Sequence, residues 1–74
     1  MITKEQLRAE VNQFLIEKPK DWRRGQAVFN FIDAKYNVAR DVQLLHGIDC
    51  FYSDDRIDDF LKKSLELINE QNVN

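Results

Sequence analysis

Residue types that do covalent or acid–base chemistry are few in this chain. There is one histidine, His46, and one cysteine, Cys50. Nucleophilic catalysis needs a nucleophile, a base and an orienting group within hydrogen-bond reach. His46 has no second His to share a metal and no evident nucleophile, so it reads as structural. Its place near a helix C-terminus suits a positive charge. Cys50 lacks a CxxC companion and reads as a small buried filler. Asp54, Asp55, Asp58 and Asp59 could suggest calcium, but the EF-hand spacing with its central Gly and terminal Glu is missing. They read as helix-start acids, with Asp58–Lys62 and Asp59–Lys63 as i,i+4 pairs. P-loop, dinucleotide-binding and zinc spacings are absent. No catalytic residue, metal, cofactor or small-molecule ligand is therefore assigned, and an enzyme is the least favoured class.

The remaining candidates are recognition groups. Lys18, Lys20, Arg23 and Arg24 place four cations within seven residues. They could contact phosphate, although intramolecular pairing or solvation is the plainer reading. Gln26, Asn30 and Asp33 line up at i, i+4 and i+7 on one helical stripe. They are expected to bond the backbone of a covering loop, or else to recognise a partner's backbone. Ile16 and Phe31 fall outside the apolar faces of their helices. With Arg24 and Lys35 beside Phe31, they form a candidate interface.

The elements that must position these groups are helical. Residues 3–17 open with Thr3-Lys4-Glu5-Gln6, a capping box, and Ile2 with Leu7 is placed to act as a hydrophobic staple. Leu7, Val11, Phe14 and Leu15 form the buried stripe. Residues 21–36 are predicted as the central helix, with Pro19 stopping the first helix, Asp21 as cap and Asn37 as a left-handed stop. Trp22, Gly25, Val28, Phe29, Ile32 and Tyr36 share its apolar face. A Gly in mid-helix costs about 1 kcal/mol relative to Ala, so Gly25 marks a place where another backbone or ring crosses closely.

Residues 38–46 are predicted as a short third helix with Val38, Val42 and Leu45 buried, ended by Gly47. The segment Ile48-Asp49-Cys50-Phe51-Tyr52 is a ring-rich loop. Loops seldom carry such rings unless they pack down, so it is expected to cross helix 21–36 near Gly25 and the Gln26–Asn30 stripe. Ser53 or Asp54 caps a last helix, 54–71, whose apolar set is Ile57, Phe60, Leu61, Leu65 and Ile68, with Ser64 as the small member. Residues 71–74 are expected to fray.

Seventy-four residues, 43% hydrophobic and 32% charged, read as one helical domain, 1–74. A chain this short buries only about 60% of its unfolded surface, so its stability alone is marginal. Association is one remedy. The net charge of −2 argues against a general nucleic-acid binder. A single cysteine permits no intramolecular disulfide and suits the cytoplasm. The first ten residues are too polar for a signal peptide, and no apolar run is long enough to span a bilayer.

The run Trp22-Arg23, Gly25-Gln26, Phe29-Asn30, followed by Asp49, Phe51-Tyr52, Asp54 and Arg56-Ile57, resembles a group of small proteins of bacteria and their phages. The likeness covers residues 22–57. Similar sequences carry a longer, Pro-containing turn before Phe-Tyr, whereas here Cys50 leads directly into Phe51. The resemblance implies no activity, and it treats the central helix and the aromatic loop as one unit.

The expected fold is thus all-α: four helices, the third short, with an aromatic loop packed on the second. The expected function is a non-catalytic protein–protein interaction module acting as a homodimer or on another protein. The alternative is a small nucleic-acid-associated regulator using the basic cluster at 18–24.

Overall fold

The structure, a computed structural model, describes residues 1–71. It contains α1 (Lys4–Glu17), α2 (Arg24–Tyr36), α3 (Ala39–Leu45) and α4 (Ile57–Gln71), with a 3-10 turn at Asp54–Arg56 leading into α4. No strand occurs among the described residues. The architecture is the expected all-α arrangement of four helices with a short third. Of the residues expected to fray, 71–74, Gln71 is the last residue of α4, and 72–74 lie outside the described residues.

The N-terminus of α1 forms as its local sequence dictates. Thr3 Oγ1 accepts the Gln6 N–H at 3.1 Å, and Gln6 Oε1 accepts the Thr3 N–H at 2.9 Å. Two otherwise orphaned donors are satisfied reciprocally. Ile2 packs on the core, and its backbone exchanges two hydrogen bonds with the Asn69 amide, at 3.0 and 3.1 Å. The start of the chain is thereby tied to the end of α4. Lys18 is extended (φ −62°, ψ 156°), as the residue before a proline must be.

α2 starts later than predicted. The Trp22 N–H donates to the Pro19 carbonyl at 3.1 Å, and Lys18 Nζ donates to the Trp22 carbonyl at 2.6 Å. This turn occupies the residues expected to open the helix. Arg23 stands at the N-cap without a side-chain cap bond, and Asp21 lies two residues ahead of the capping position. Trp22 is therefore not on the α2 face at all. The other end matches expectation: Asn37 is left-handed (φ 60°), and its N–H reaches the Ile32 and Asp33 carbonyls.

The core forms around α2, which packs against α1, α3, the 3-10 turn and α4. Leu7 and Val11 of α1 share one buried cluster with Val28, Phe29 and Ile32 of α2. Val38, Ala39, Val42, Cys50, Phe60, Leu61 and Ile68 close the cluster. Phe60 is fully buried, which alone contributes about 1.5–3 kcal/mol. Ser64 sits in the same layer, and its hydroxyl has no hydrogen-bond partner among the described residues.

Two further expectations need correction. Leu45, assigned to the buried face of the third helix, is 76% exposed, as is Leu44. The chain reverses at Gly47 (φ +68°), and the Ile48 N–H bonds to the Val42 carbonyl at 3.2 Å. Among the described residues nothing covers Leu44 and Leu45 in the last turn of α3. The expected Asp58–Lys62 and Asp59–Lys63 pairs are replaced. Asp58 pairs with Arg8 at 3.1 Å, Asp59 with Arg56 at 3.6 Å, and Lys63 with Glu66 at 2.7 Å. An exposed i,i+4 pair is worth only tenths of a kcal/mol, so any better-placed partner displaces it.

Candidate functional site

The aromatic loop docks on α2 at Gly25. A Cβ at that position would lie 1.9 Å from the Cys50 carbonyl oxygen and 2.7 Å from Asp54 Oδ1, so the close crossing expected at Gly25 is real, although Gly25 stands in the first turn of α2 and not in mid-helix. Cys50 Sγ donates to the Gly25 carbonyl at 3.3 Å, and the Gly25 N–H donates to Asp54 Oδ1 at 3.0 Å. Asp54 thus satisfies an N-terminal donor of α2 and not one of α4. Ser53, the other expected cap, makes no side-chain cap bond either. Phe51 packs edge-on against Phe29 at 5.5 Å. Tyr52 departs from expectation: it is 70% exposed, touching Phe51 with its edge at 4.8 Å.

The loop does not rest on the amide stripe. Gln26, Asn30 and Asp33 are half-buried, and their side chains make no hydrogen bond among the described residues. The docking groups are the Gly25 backbone and the Phe29 ring, one helical face away.

The basic cluster is dispersed. Lys18 is engaged with the Trp22 carbonyl, and Arg23 Nη2 donates to the Phe51 carbonyl at 2.6 Å. Arg24 borders a depression shared with Asp54, Asp55 and Asp58, where an anion would meet like charge. Lys20 alone remains exposed and clear of these contacts. The four cations do not converge on one phosphate-sized position.

The interface quartet also divides. Phe31 and Lys35 adjoin, with Lys35 Nζ 5.9 Å from the Phe31 ring centre. Ile16 is 78% exposed, but it points roughly 160° around α1 from Phe14, which carries the contact to Phe31. Arg24 lies two turns away beside the acids.

What Phe31 does join is a seam of rings between α1 and α2. Phe14 lies 5.2 Å from Phe31 and 6.4 Å from Trp22, both in tilted geometry. All three rings are half-buried. Beside them runs a largely apolar groove of about 460 Å³, lined by Phe14, Trp22, Asn30, Phe31, Ala34 and Lys35. A second depression continues past Phe14 and Phe31 toward Glu10, Gln13 and Glu17. Sequence reasoning placed Phe14 and Trp22 in the core and passed over Ala34. The missed signal is Pro19, whose turn swings Trp22 off α2 and onto α1.

A polar cluster anchors one end of this seam. Tyr36 Oη donates to Glu10 Oε1 at 2.5 Å, and Lys35 Nζ sits 3.0 Å from Glu10 Oε2. Burial raises the Glu10 carboxyl, but the Tyr36 and Lys35 hydrogen bonds outweigh it and hold the group below its ordinary value. The Glu10 bond raises Lys35. Burial, then the Glu10 bond, raises Tyr36. The shifts favour the Glu10 carboxylate, the Lys35 ammonium and the neutral Tyr36 phenol, the forms that make these bonds.

The cysteine is not poised as a nucleophile. Cys50 is fully buried, and burial pushes its thiol up to about 12, so the reactive thiolate is suppressed. No group of three or more metal-capable side chains gathers among the described residues, and none of their helices is long and apolar enough to cross a membrane. A scan against protein-family models, a search of curated proteins and a search of solved structures each find no match to this chain.

Proposed function

We propose that this chain is a non-catalytic protein–protein interaction module that pairs with a second copy of itself through the α1–α2 aromatic seam. The observation that carries this reading is the half-buried Phe14–Trp22–Phe31 cluster beside an apolar groove. Large rings left partly in water are the residues that dominate binding energy when a partner covers them. Asn30 and Lys35 at the groove edge supply the polar rim such surfaces carry. A chain of this length also gains more from association than a larger one would.

Size-exclusion chromatography with light scattering tests it. Wild type is expected at dimer mass in the tens to hundreds of micromolar. Ala34→Arg places a long cation in the groove at an exposed helical position and is expected to give a monomer with an unchanged thermal melt. Phe31→Asp is expected to do the same, with some loss of stability from the Phe14 contact. A wild-type monomer at high micromolar concentration overturns the homodimer. A gel shift with steep salt dependence would favour the basic cluster and the nucleic-acid reading instead.

A further inference from the structure

A different surface holds two large, exposed apolar side chains side by side. Leu44 at 76% and Tyr52 at 70% exposure flank a shallow pocket floored by Phe29 and Phe51. Arg40 and Gln43 form its rim. We infer that this pocket, between α3 and the aromatic loop, docks an acidic peptide segment by one large apolar side chain, independently of the α1–α2 seam.

Three features support it. The first is rigidity. Exposed rings on a slack loop would bury themselves or move, but this loop is held on both sides. The Phe51 carbonyl accepts from Arg23, the Phe51 N–H donates to Asp49 Oδ1 at 2.9 Å, and Cys50 and Asp54 bind the Gly25 backbone. A surface ordered in advance avoids the entropy cost that otherwise offsets binding. The second is size. The pocket is about 220 Å³, below the range of about 300–1,000 Å³ usual for small-molecule sites and suited to one anchoring side chain. The third is charge. Arg40 has no ion-pair partner among the described residues; the Asp49 carboxylate forms none with it and is held by its Oδ1, which accepts from the Phe51 N–H and from Gln43 Nε2 at 3.2 Å. A carboxylate adjacent to the anchor would find Arg40 unoccupied.

The experiment is an amide-shift titration of the full chain with the blocked pentapeptide Ser-Glu-Phe-Glu-Ser. Saturable shifts are expected at Arg40, Leu44, Phe51 and Tyr52. Ser-Lys-Phe-Lys-Ser and Ser-Glu-Ala-Glu-Ser are each expected to bind about fivefold more weakly, what a contact of about 1 kcal/mol gives. Leu44→Ser should abolish the shifts. Arg40→Glu should reverse the preference between the acidic and lysine peptides. Both positions are exposed, so the fold is expected to survive, with Ala34→Arg as a control that leaves peptide binding intact. Equal binding of the lysine peptide, shifts that persist in Leu44→Ser, or none at millimolar peptide would overturn the inference. So would shifts at these residues on concentrating the protein alone, which would make the occupant a second copy.

Discussion

Asp54 accepts the backbone N–H of Gly25 at 3.0 Å from 29 residues further along the chain. The free N-terminus of α2 is thus capped by the 3-10 turn that precedes α4, and the aromatic loop between them is closed like a strap. Gly25 is what allows the strap to lie flat, because a Cβ would stand 1.9 Å from the Cys50 carbonyl.

Two substitutions separate these contributions. Asp54→Ala removes the cap and is expected to cost about 1 kcal/mol, the usual value of such a bond. Gly25→Ala gains less in helix propensity than the roughly 1 kcal/mol of a helix interior, because Gly25 stands in the first turn of α2, and its Cβ meets backbone, which cannot rotate away. The net effect is expected to be a loss of roughly 2 kcal/mol. Urea melts of both variants check this, and a stabilised Gly25→Ala would show that the loop does not cross there.

The Cys50 thiol reports on the strap without mutation. It is buried, and its pKa is pushed up to about 12, so a colourless disulfide reagent at pH 8 is expected to modify native protein far more slowly than urea-unfolded protein. Asp54→Ala should accelerate the native reaction by roughly the factor that a 1 kcal/mol loss implies, about fivefold. Equal rates for folded and unfolded chains would contradict the burial.

Ser64 offers a gain. Its hydroxyl is fully buried without a partner among the described residues, and an unpaired polar group carries a desolvation penalty of about 1–3 kcal/mol. Ser64→Ala removes the penalty with little change in volume. It is expected to raise stability by about 1 kcal/mol in thermal or urea unfolding, and a clear loss would mean that the hydroxyl is bonded.

The clamp at the end of the seam makes stability pH-dependent in two windows. The Glu10 carboxyl is lowered on folding, so its contribution is present above the ordinary value near 4.5 and is lost as pH falls through the folded value. The Tyr36 phenol is raised. Its contribution is present below the ordinary value near 10 and is lost as pH rises through the folded value. Glu10→Gln is expected to flatten the acid limb of the stability profile, and Tyr36→Phe the alkaline limb. Urea midpoints measured from pH 3 to 11 test both.

Much of this fold was legible because its signals are local. The capping box from Thr3 to Gln6 spans a single turn, Asn37 and Gly47 stop helices by their own backbone preferences, and Gly25 had to have a tertiary reason. The candidate site was less legible. Phe31 and Lys35 adjoin, but Ile16 does not join them, since Ile16 and Phe31 share a sequence pattern without sharing a surface. Helical periodicity says which residues leave the core, not which of those leaving from different helices meet.

By itself, then, the amino-acid sequence determined the helix content, the helix stops and the crowding at Gly25, since each depends on residues within a few positions or on the absence of a side chain. Only the tertiary structure decided that the cap of α2 comes from Asp54, that Pro19 turns Trp22 onto Phe14, and that Leu44, Leu45 and Tyr52 stay in water. Those outcomes depend on how separate elements pack. Packing energy sums over contacts between residues distant in the chain, and no local pattern encodes that sum.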